Sequence, residues 1–184
     1  VSSNHASTLP NEPTVSGCSL TWVKIDSNSG GTRRITLFRA LGASPTTGTL
    51  TISFGGQNQA NVHWAVVECA NVDTSGTNGS GAVRQSALGT GSGTHTSTTA
   101  TLAAFGNANN ATFGCFEHPS GTAVTEGSGF TELSETTTSS AITLQTEFKN
   151  SNDTSVDWTY SSTTVVTRAI AIEIVYAAEI QLLN

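Results

Sequence analysis

The stretch Val72–Val83, VDTSGTNGSGAV, sets one carboxylate and a row of hydroxyl and amide side chains among three glycines. A phosphate cradle of the Walker type needs a lysine after its glycines and a helix beyond them. Here there is no lysine, and the chain runs into Ala82-Val83-Arg84-Gln85, which reads as a strand. A calcium loop could draw oxygens from Asp73, Ser75, Thr77 and Asn78, but a single carboxylate with no bidentate acid after it makes a poor ligand set. The stretch therefore reads as a long connection. Its glycines allow positive φ, and its Asp, Ser, Thr and Asn side chains bond their own backbone. Asp73, Thr77 and Asn78 are its candidate contact surface.

The other reactive residue types give no catalytic spacing. His5, His63, His95 and His118 lack the HxH or HxxxH pattern of a metal site, and no GxSxG elbow accompanies the many serines. Glu117, Glu126, Glu132 and Glu135 could pair for glycoside hydrolysis, yet three of them fall in expected loops and nothing sets their separation. Cys18, Cys69 and Cys115 make an odd count with no CxxC, so at most one disulfide can form. Cys69 and Cys115 lie in apolar strand-like runs and read as buried free thiols. Trp22, Trp64 and Trp158 could stack on pyranose rings, but each sits in an alternating run that points to the core, with His63 facing the other way. Asn78, Asn110 and Asn152 each open an N-x-Ser/Thr triplet, as chance produces in so polar a chain. The expectation is a chain without catalytic, cofactor-binding or metal residues, and not an enzyme.

Only 11% of the 184 residues are charged and 36% are hydrophobic, with Thr, Ser, Gly and Asn prominent in the rest. That suits half-buried strands joined by tight polar turns. The net charge of −6 disfavours nucleic acid, whose binders need a basic surface. Arg33, Arg34 and Arg39 alternate along one expected strand and read as solvated or locally paired. No apolar run is long enough for a membrane span, and no signal peptide opens the sequence, so no membrane insertion is expected.

Period-two alternation predicts strands at Leu20–Ile25, Thr32–Leu41, Thr49–Phe54, Val62–Cys69, Ala82–Leu88, Thr96–Leu102, Ala111–Glu117, Ala141–Lys149, Ser155–Tyr160 and Thr164–Ala177. Asp26–Gly31 reads as a turn, and Thr90–Thr99 as a loop entering a weak strand. In the last strand Ile170, Ile172 and Ile174 face one way and Ala169 and Ala171 the other, as on a central strand covered on both faces. The fold class expected is all-β, a single antiparallel β-sandwich domain over residues 1–177, with a C-terminal extension over 178–184.

In order from Ser16 to Ala177, the segments LTWVKIDSNSGGTRRITLFRALGA, TISFGG, WAVVEC, VDTSGTNGSGAV, TLAAFGNANNATFGCF, GSGFTEL, LQTEFK and AIAIEIVYA resemble a β-sandwich family. That family occurs in tailed-phage virion proteins and large bacterial surface proteins. The resemblance implies a jelly-roll-like sandwich that serves as a structural, decorating or adhesive module, with no catalytic residues. It implies an extracellular or virion-surface location, as capsid decoration, tail or fibre. The implied partners are copies of the chain and other proteins of the assembly. An adhesion module binding a surface glycan and a filament subunit joined by strand exchange are the alternatives. Family members carry one or two further strands upstream of the segment that opens here. An open sheet edge is therefore expected, with Val1, Ile180, Leu182 and Leu183 as candidate intersubunit contacts.

Overall fold

A computed structural model describes residues 1–138 and 141–177. They form fourteen strands: β1 (Ser2–Asn4), β2 (Thr14–Ser16), β3 (Val23–Gly30), β4 (Arg33–Arg39), β5 (Thr51–Ser53), β6 (Asn61–His63), β7 (Val83–Gly91), β8 (His95–Thr101), β9 (Ala111–His118), β10 (Val124–Thr125), β11 (Thr131–Thr138), β12 (Ile142–Lys149), β13 (Ser155–Thr163) and β14 (Thr167–Ile174). All pairings are antiparallel, and the only helical element described is a single 3₁₀ turn at Ser80–Ala82. The all-β sandwich expected from the alternation is what the chain forms.

At its centre lies a five-stranded sheet, β11-β12-β9-β14-β7. Every residue of β9 and β14 is buried, because both faces of this sheet are covered. On one face Phe113, Cys115, Leu144, Ile170, Ile172 and Ile174 pack with Ile35 of the four-stranded sheet β3-β4-β1-β6. On the other face Phe116, Ala169 and Ala171 pack with Val156, Trp158 and Tyr160 of the three-stranded sheet β10-β13-β8. The result is three layers around a middle sheet, with a two-stranded ribbon, β2-β5, beside them. The rings of Phe116 and Trp158 stack at 5.3 Å between centroids. Gly114 permits this, since a Cβ there would lie 2.6 Å from Trp158 Cζ2.

Three expectations are corrected. Asp26–Gly30 continues β3 instead of turning, because its polar side chains bond to the middle sheet: Asn28 Nδ2 donates to Gly89 O at 2.7 Å and to Ala169 O at 3.2 Å. Thr90–Thr99 holds the end of β7 and most of β8, which belong to different sheets and are joined by a short turn between Gly91 and His95. Of Val62–Cys69, only Val62 and His63 lie in a strand. β11, TELSETTT, has no apolar alternation to betray it. It is an edge strand held by its ladder to β12.

Candidate functional site

The residues that could do acid–base chemistry are mostly spent on holding the layers together. Glu117 points from β9 toward the four-stranded sheet, buried, with Arg33 Nη1 3.5 Å from its Oε1. Burial pushes its carboxyl above the ordinary value, against the pull of Arg33 and Arg168. Arg33 also donates to Pro119 O at 3.1 Å, Arg34 to Pro10 O at 2.9 Å and Arg39 to Asn78 O at 3.3 Å, so the three arginines are locally paired. Glu132 and Glu135 stand opposite Glu147 and Gln145 in the ladder, on the other side of the middle sheet from Glu117. The sheet itself therefore separates Glu117 from those two acids. Glu132 Oε2 accepts from Gln145 Nε2 at 3.3 Å, and Glu135 Oε2 from the Val124 amide at 3.0 Å.

Among the described residues one serine hydroxyl meets an imidazole: Ser120 Oγ lies 2.9 Å from His118 Nδ1. His118 is buried against the Tyr160 ring, its Nε2 faces no partner among the described residues, and burial lowers its pKa. Among the described residues no acid orients it as a triad requires. Glu147, which the sequence did not single out, is a second raised carboxyl: burial pushes it up to about 8, and neighbouring Glu126, Asp157 and Asp153 add to the shift. Its Oε2 accepts from the Gly127 amide at 2.9 Å.

The loop from Val72 to Val83 holds itself. Asp73 Oδ1 accepts from the Ser75 amide at 2.8 Å, the Thr77 amide donates to Ser80 Oγ at 3.1 Å, and the Gly81 amide to Ser75 O at 2.9 Å. Asn78 and Gly79 take φ of 49° and 73° to make the turn into the 3₁₀ segment. Asp73 and Asn78 are half-buried and Thr77 is exposed.

Two tryptophans and two neighbouring residues depart from the expected core. Trp158 is fully buried, but Trp22 is only half-buried, with its Nε1 donating to Gly17 O at 3.2 Å. Trp64 is 54% exposed. His63 takes the buried side instead: its Nδ1 lies 2.9 Å from Thr136 O and its Nε2 2.7 Å from Thr138 Oγ1, so it ties β6 to β11. With His63 turned inward, the pleat sends Val62 and Trp64 outward. Cys69 is likewise exposed, while Cys115 is buried and its thiol is pushed up to about 12 by that burial; all three cysteines are free. Cys69 was expected inside because its run is apolar, but that run leaves the sheet after His63.

Val62 and Trp64 line an open groove of about 460 Å³ together with Leu50, Ile52 and Phe54 from the β5 side and the amides of Gln57, Asn58 and Gln59. Gln57 is spent on Asn11 and Leu9, and Gln59 Nε2 donates to Gln57 Oε1 at 2.8 Å. Asn58 is exposed, and its amide has no hydrogen-bond partner among the described residues. Among the described residues, β6 beside the groove is the outermost strand of its sheet, paired only to β1. No family model, curated protein or solved structure matches this chain. The geometry of this edge is thus what a functional reading has to work from.

Val1 is tied within its own chain: its nitrogen donates to Thr36 O at 3.0 Å, and the Thr36 amide donates to Val1 O at 2.8 Å. Ile180, Leu182 and Leu183 lie outside the described residues.

Proposed function

We propose that this chain is a non-enzymatic structural module of an extracellular assembly, a virion component such as a capsid decoration, tail or fibre subunit. One observation carries the reading: Val62 and Trp64 expose apolar surface beside the open edge of β6. An unpaired edge flanked by exposed apolar side chains is a template for another chain, and proteins that stay monomeric blunt such edges. Copies of the chain or other proteins of the assembly are the natural occupants. The non-enzymatic reading draws support from the acids and His118, which serve as interlayer contacts. The virion context draws on the resemblance of the ordered segments.

Sedimentation velocity across a concentration series tests the association. The wild-type chain is expected to form oligomers, and a Val62→Ser/Trp64→Ser variant to stay monomeric with its unfolding midpoint intact. A wild-type chain that remains monomeric throughout refutes self-assembly through this edge. Immunogold labelling of particles from the native source separates capsid, tail and free fibre.

A glycan-binding module is the second reading, favoured by the exposed indole of Trp64 beside the free Asn58 amide. An aromatic face with an adjacent amide can stack on a pyranose and bond its hydroxyls. Titration of oligosaccharides followed by tryptophan fluorescence tests it; a signal unchanged by Trp64→Ser would remove this site from consideration.

A further inference from the structure

A buried histidine stands on each side of the middle sheet, and the two differ in what their ring nitrogens meet. His63 of β6 has an oxygen at both: Thr136 O lies 2.9 Å from Nδ1 and Thr138 Oγ1 2.7 Å from Nε2. A carbonyl and a hydroxyl can both accept, so His63 can hold a second ring proton in place. His118 of β9 has a partner at one nitrogen only. Its Nδ1 lies 2.9 Å from Ser120 Oγ and 3.4 Å from Ser120 O, while Nε2 has no hydrogen-bond partner among the described residues. With its proton on Nδ1, directed at Ser120, the neutral ring leaves only a lone pair at Nε2. A second proton puts an N–H and a full charge beside the rings of Phe116 and Tyr160, on a side chain that is 1% exposed.

Among the described residues no carboxylate compensates that charge. Glu117, next in sequence, faces the other side of the middle sheet, as does Arg168 opposite it. The acids on the His118 side are held elsewhere: Glu132 accepts from Gln145, Glu135 from the Val124 amide, Glu147 from the Gly127 amide, and Glu173 from Gln85 and Asn110. The groups that do approach are His95 of β8, set edge-on to the same Tyr160 ring at 5.7 Å, and Arg33 of β4. Burial first, and then His95 and Arg33, disfavour the imidazolium, against the pull of the Ser120 carbonyl. An opened chain takes the proton below the ordinary value of 6.5, so the closed arrangement loses stability as pH falls through it. Farther along the same boundary acid acts the other way, because Glu147 holds its proton there in the folded chain. We propose that acid opens the His118 end of this boundary: with His118 protonated, the parts of β8 and β13 that carry His95 and Tyr160 lift from β9, while the Glu147 end and the four-stranded layer stay closed. The opening bares the stack of Phe116 with Trp158 and Tyr160. It is independent of the proposed assembly edge at β6.

Trp158 reports on this boundary. In a Trp22→Phe/Trp64→Phe background it is the one tryptophan left, and acrylamide quenching of its fluorescence measures access to the stack. The quenching constant is expected to rise about threefold or more between pH 7.5 and pH 5, with the far-ultraviolet dichroism of the strands retained. Adding His118→Phe should make it flat across that range, and His118→Gln serves as the neutral variant if the phenylalanine fails to fold. His63→Gln should leave the rise in place. A quenching constant that stays flat with His118 present overturns the proposal, as does an equal rise in the His118 variant that folds. Dichroism lost in step with the quenching also overturns it, since the whole chain would then be unfolding.

Discussion

Replacing Glu147 by glutamine should remove a large part of the pH dependence of folding. Glu147 is fully buried on β12, with one oxygen bonded to the Gly127 amide and the other facing no donor among the described residues. Its pKa is raised from 4.5 to about 8, first by burial and then by the acids around it. A carboxyl whose folded pKa is raised holds its proton in the folded chain at pH values where the unfolded chain has released it. Stability is therefore greatest below the unfolded value and is lost as pH rises through the folded one. Between pH 5 and pH 8 this group alone should remove about 3–4 kcal/mol, because each unit of pKa difference is worth about 1.4 kcal/mol. Glutamine keeps an oxygen for the Gly127 amide and carries no titrating proton. Urea unfolding followed by tryptophan fluorescence at several pH values from 5 to 9 measures the difference between the two proteins. His118, whose lowered pKa costs stability as pH falls below its ordinary value, and Glu117 are common to both and drop out of that difference. Wild-type and Glu147→Gln stabilities that run parallel across this range would refute the reasoning.

Ile172 is buried on β14 among Phe113, Ile170 and Ile174, so Ile172→Ala should cost about 2–5 kcal/mol in equilibrium unfolding, and a neutral effect would contradict the central placement of β14. Gly114→Ala puts a methyl 2.6 Å from Trp158 Cζ2 and 2.7 Å from Val156 Cγ1; a loss of about 1–3 kcal/mol is expected, with the near-ultraviolet dichroism of Trp158 altered. Prolonged treatment with EDTA should leave the melting temperature unchanged, whereas a drop restored by calcium would reveal a ligand set that the loop at Asp73 is not expected to supply.

The sequence by itself determined the strands whose burial follows the pleat. β5, β9, β12 and β14 are readable because their apolar side chains sit at period two or in runs too apolar for a surface. It also determined that the loop at Asp73 would bond itself, since its glycines and short oxygen-bearing side chains act locally. Tertiary structure decided the rest, for one recurring reason: periodicity says which residues share a face, but not which face is covered. His63 and Trp64 alternate as expected, yet the covered side belongs to His63 because β11 offers it Thr136 O and Thr138 Oγ1. The polar half of β3 became a strand because the middle sheet supplied carbonyls for Asn28, and β11 because β12 supplied a ladder. Glu147 carries no local mark of its pKa. Its perturbation arises first from burial under the layer that includes Gly127 and then from acids that the fold brings beside it, so it exists only in the folded chain.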